Sequence, residues 1–77
     1  MNNPHVRAAA KGLAKRVAEG AKTDADAVTR AYRLALCREP TKEELAAGVA
    51  FLKGDRDAVL ADFCQVLFCL NEFLYAE

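Results

Sequence analysis

Seventy-seven residues, 53% of them hydrophobic and 29% charged, with four Gly, two Pro and no Trp, describe one domain close to the smallest size at which a single core holds without staples. That composition excludes disordered and collagen-like chains, and eleven basic against eleven acidic residues leave no net charge to draw the whole molecule toward nucleic acid or anionic lipid. The charge is unevenly placed: residues 1–38 hold eight Lys/Arg against three Asp/Glu and residues 39–77 hold three against eight, so the two halves attract each other.

The opening MNNPHVRAAAKGL has no apolar segment of the kind an export signal needs. Asn3 and Pro4 read instead as a helix start, an amide cap followed by a proline at the first helical position. Val6, Ala10, Leu13 and Val17 recur on one face, Arg7, Lys11 and Lys15 form a basic stripe beside them, and Gly20 ends the segment. A second helix is expected from Thr23 or Asp24 to about Cys37, with Val28, Ala31, Tyr32, Leu34 and Ala35 covering a wide apolar arc and Asp26 pairing with Arg30 one turn on.

Pro40 disfavours helix at Glu39, and Thr41-Lys42-Glu43-Glu44 is a capping box, in which the Thr41 hydroxyl and the Glu44 carboxylate satisfy each other's backbone N–H. The third helix is therefore expected to start at Thr41. Leu45, Val49 and Leu52 mark its buried face, Gly48 lets a neighbouring backbone come close, and Gly54 stops it.

The fourth helix is expected from Asp55 to Asp57 until about Tyr75. It is apolar almost all round. Val59, Phe63, Val66, Leu70 and Phe73 form one stripe, Leu60, Leu67 and Leu74 lie beside it, Ala61, Cys64, Phe68, Asn71 and Tyr75 form another, and Asp62, Gln65, Cys69 and Glu72 leave a narrow polar seam. These charged and polar positions also deny it the roughly 20 apolar residues of a membrane span. Such a helix belongs at the centre of a bundle, and the fold expected is all-α, a compact four-helix up-down bundle with helix 4 central, built from residues 1–77 as a single domain.

Up-down connectivity gathers the end of helix 2, the start of helix 3 and the end of helix 4 at one pole. There Arg38 is expected to pair with Glu72, and Asn71 to satisfy backbone groups of the 38–41 turn, as a structural latch. The search for reactive chemistry returns little. His5 lies in the first turn, and Cys64 and Cys69, five residues apart, sit about 140° from one another around the helix and cannot share an ion. A zinc site with Cys37 and His5 is disfavoured. Cys37 and Cys69 belong near the same pole, where they pack as small hydrophobes or form a disulfide. No catalytic residue, cofactor, metal site or small-molecule substrate is expected.

Three stretches together, Asn2-Asn3-Pro4, Ala31 to Thr41 with Glu44-Leu45, and Leu60 to Leu67 leading to Leu70-Asn71-Glu72-Phe73-Leu74-Tyr75, resemble the C-terminal tail of a planctomycete family. That family is the domain of unknown function fifteen-fifty-three, also called the planctomycete cytochrome-associated PSD domain. A shorter form of the pattern, a Leu-x-Arg-x-Pro corner with a later Glu-Phe ending, is similar to phycobilisome-linker-like modules. Where the planctomycete family often has glycine before the corner arginine, this chain has Cys37.

The resemblance implies the closing piece of a large exported protein, periplasmic or at the cell surface, that often carries a c-type haem domain elsewhere; no Cys-x-x-Cys-His motif occurs here. It implies no catalytic residue. The function expected is a non-catalytic packing or protein-interaction module, joined through helix 4 to the remainder of a parent protein or to a second copy, with Phe68, Leu74 and Tyr75 in an exposed apolar patch. The alternative is a small nucleic-acid-binding regulator using Arg7, Lys11, Lys15 and Arg16, although that face lacks the aromatic interleaving and reading helix of known binders.

Overall fold

The computed structural model describes residues 4–75, with 71–75 described by their backbone, and consists of α1 (Pro4–Gly20), α2 (Asp24–Leu36), α3 (Lys42–Leu52) and α4 (Arg56–Tyr75). The fold is all-α, an up-down bundle, with no strand among the described residues. Its radius of gyration, 11.5 Å, is the value of about 11.5 Å that a compact chain of this length should have.

Local chemistry sets the helix boundaries. Thr23 caps α2 by accepting from the Asp26 N–H at 3.1 Å, and the capping box at Thr41 is complete, with the Thr41 hydroxyl accepting from the Glu44 N–H and the Glu44 carboxylate accepting from the Thr41 N–H. α3 ends at Leu52, and Gly54 turns the chain at φ 101°, a conformation open to glycine and strained for other residues. Asp55 then accepts from the Ala58 N–H at the start of α4. The Asn3 cap lies outside the described residues.

α4 packs on all three other helices, and α2 does the same, while α1 and α3 do not touch among the described residues. The cross-section is a rhombus whose short diagonal is the α2–α4 pair. Leu60, Phe63, Cys64 and Leu67 of α4 meet Ala27, Val28, Ala31 and Tyr32 of α2 in the core, closed by Ala10, Leu13 and Val17 on one side and by Leu52 on the other. Gly48 is buried, and a Cβ there would lie 2.7 and 2.8 Å from the two γ-carbons of Val28 and 3.2 Å from Phe63 Cζ. What comes close to this glycine is the Val28 side chain of α2 and the Phe63 ring of α4, where a neighbouring backbone was expected.

Three readings are refined. Leu34, placed in the apolar arc of α2, is half-exposed. Val66 and Leu70, which share an apolar stripe of α4 with the buried Phe63, are 44% and 46% exposed. Asp26 and Arg30 do not pair: the Asp26 carboxylate accepts from the Lys22 N–H, and Arg30 Nη2 donates to the Arg16 carbonyl at 3.2 Å. The Arg16 carbonyl lies near the end of α1, where the negative end of the helix dipole attracts a guanidinium.

Candidate functional site

The corner between α2 and α3 is the most densely bonded stretch of the surface. α2 ends because Cys37 takes the left-handed conformation, φ 56° and ψ 34°, its N–H donating to the Arg33 carbonyl. This is the place in a helix terminus where glycine is usual, and Cys37 is the one described residue other than glycine with positive φ. The turn throws Arg38 back across the corner. Its guanidinium carbon lies 5.3 Å from the Tyr32 ring centroid, and its two terminal nitrogens grip both Glu44 oxygens at 2.8 and 2.9 Å.

Glu44 thus does two jobs, closing the capping box and clamping Arg38. The Arg38 guanidinium, and after it the Thr41 N–H, holds its carboxyl down at about 2. Tyr32, buried under Arg38, has its phenol pushed up by that burial and by the nearby Glu44 charge, with Arg38 pulling the other way. Beside them Arg33 and Glu39 form a second forked pair, which lowers the Glu39 carboxyl and raises the Arg33 guanidinium although both stand in solvent. The latch expected for Arg38 involves Glu72 and Asn71, whose side chains lie outside the described residues. The partners described for Arg38 are Glu44, the Glu39 carbonyl and the Tyr32 ring.

Of the basic stripe on α1, Arg7 is committed to the bundle: its Nη1 donates to Asp62 at 2.8 Å and to Gln65 at 2.9 Å on the polar seam of α4. Lys11, Lys15 and Arg16 are exposed. At the other end, Arg56 reaches Asp24 at 3.1 Å, tying the start of α4 to the start of α2. None of these long-range pairs was legible in the sequence, since partners 32 and 55 residues apart leave no local spacing.

All three cysteines are free, Cys37 exposed, Cys64 buried and Cys69 between. Desolvation pushes the Cys64 thiol up to about 12, which keeps it protonated and unreactive. Among the described residues no group of three His, Cys, Asp or Glu side chains converges as a metal site would require.

Of the expected patch on α4, only Phe68 has its side chain among the described residues. Phe68 packs against the core, and Leu74 and Tyr75 have side chains outside the described residues. Val66 and Leu70, one turn apart, are exposed among the described residues of α4, and Phe51 of α3 is 44% exposed while its ring packs 5.5 Å from that of Phe63. Leu70 follows Phe63 by seven residues and so lies within about 20° of it around the helix, yet Phe63 is buried and Leu70 is not.

Leu70 stands about 10 Å further along the axis than Phe63. Asp24 and Arg56 stand side by side, and α2 continues for only twelve residues beyond Asp24 whereas α4 continues for nineteen beyond Arg56. At 1.5 Å per residue Leu70, fourteen residues beyond Arg56, stands about 3 Å past the last residue of α2.

No helix among the described residues is long and apolar enough to cross a membrane. No family model, no curated protein and no solved structure matches the chain.

Proposed function

We propose that this chain is a non-catalytic helical packing module that docks the exposed apolar side of α4 onto another protein surface, either the rest of a longer polypeptide or a second copy. The supporting observation is the exposure of Val66 and Leu70, one turn apart on the longest helix among the described residues, with Phe51 of α3 also exposed. Large apolar side chains grouped on one side of a bundle mark a surface that gains by being covered. The corner at Cys37 to Glu44 would hold the adjacent pole rigid, so that little order is lost on docking. The planctomycete resemblance of residues 31–41, 44–45, 60–67 and 70–75 points the same way, toward the closing piece of an exported protein.

Sedimentation of the purified chain across a wide concentration range, with dye binding to apolar surface, tests the reading. Self-association or dye binding is expected, and both should be lost in Val66→Ser/Leu70→Ser while the far-UV circular dichroism stays unchanged. A strictly monomeric species that binds no dye would overturn it. The nucleic-acid reading has weaker support, because Arg7 is already held by Asp62 and Gln65 and the remaining cations lack stacking partners.

A further inference from the structure

We draw no further inference here: the strongest candidate, the open polar hollow between the end of α1 and the outer side of α2, lined by Gly20, Asp26, Thr29, Arg30 and Arg33 and floored by the unpartnered Nε of Arg30, carries nothing because Arg30 is held on the Arg16 carbonyl, Arg33 is neutralised by Glu39, and the Asp26 carboxylate opposes any anion.

Discussion

Gly48 and Gly12 offer a matched pair of substitutions whose difference isolates the closeness of the α2–α3 contact. Both lie inside helices, and replacing glycine by alanine in an exposed helix interior stabilises by about 1 kcal/mol. Gly12 has no atom within 4 Å of the position a Cβ would take, so Gly12→Ala should show that full gain. At Gly48 the new methyl would meet both γ-carbons of Val28, at 2.7 and 2.8 Å, and Phe63 Cζ at 3.2 Å. Val28 is fully buried and stiff about its one side-chain bond, so a rotation that withdraws one γ-carbon leaves the other in the way. The helices must separate, at the roughly 1–3 kcal/mol typical of an overfilled core.

Set against the same gain in helix propensity of about 1 kcal/mol, Gly48→Ala should therefore be neutral to destabilising by about 2 kcal/mol. For a chain this small, 2 kcal/mol lowers the Tm by about 8–16 °C. Urea unfolding followed by circular dichroism on both variants measures the difference directly. Val28→Ala in the Gly48→Ala background should recover about 1 kcal/mol or more relative to the sum of the single changes, because the two sites share one space. Stabilisation by Gly48→Ala equal to that by Gly12→Ala would refute the packing argument.

Cys37→Gly should raise stability by about 1 kcal/mol, since the left-handed turn is free for glycine and costly for a residue with a Cβ, and the exposed thiol gives up little; thermal melts should show Cys37→Ala without that gain. The pH dependence follows from Glu44. Its carboxyl is held at about 2, below the ordinary carboxylate value of 4.5, so the unfolded chain takes up the proton first. The stabilisation is complete above about pH 4.5 and falls away as the pH drops toward 2. Acid titration of Glu44→Gln, read by circular dichroism, should lose that part of the slope, and an unchanged profile would remove Glu44 from its cause.

Thiol labelling in Cys69→Ser should find one fast group, Cys37, and a second, Cys64, that reacts only on global unfolding, with the rate of the second following urea concentration. Early labelling of Cys64 would mean that the α2–α4 core opens.

Features read within a few residues of sequence were legible. The capping box at Thr41 and Glu44 and the stop at Gly54 each depend on local spacing or on the special freedom of glycine. Periodicity gave only angle, so it set Leu70 in one stripe with Phe63 and did not separate the buried from the exposed end of that stripe. The Asp26–Arg30 pairing failed for a related reason: an i,i+4 rule sees one helix, and the acceptor lies near the end of another. The αL turn at Cys37 had a signal, the proline three residues on, but the residue there is not the glycine that such a turn usually carries.

By itself the sequence determined four helices, their ends and their inward faces, because caps, glycines and apolar spacing act over one or two turns. Tertiary structure alone decided which apolar side chains stay wet, which cations are tied down and that α2 and α4 form the central pair. Those outcomes depend on the relative heights and separations of helices, which long-range contacts such as Asp24 with Arg56 and Arg7 with Asp62 set.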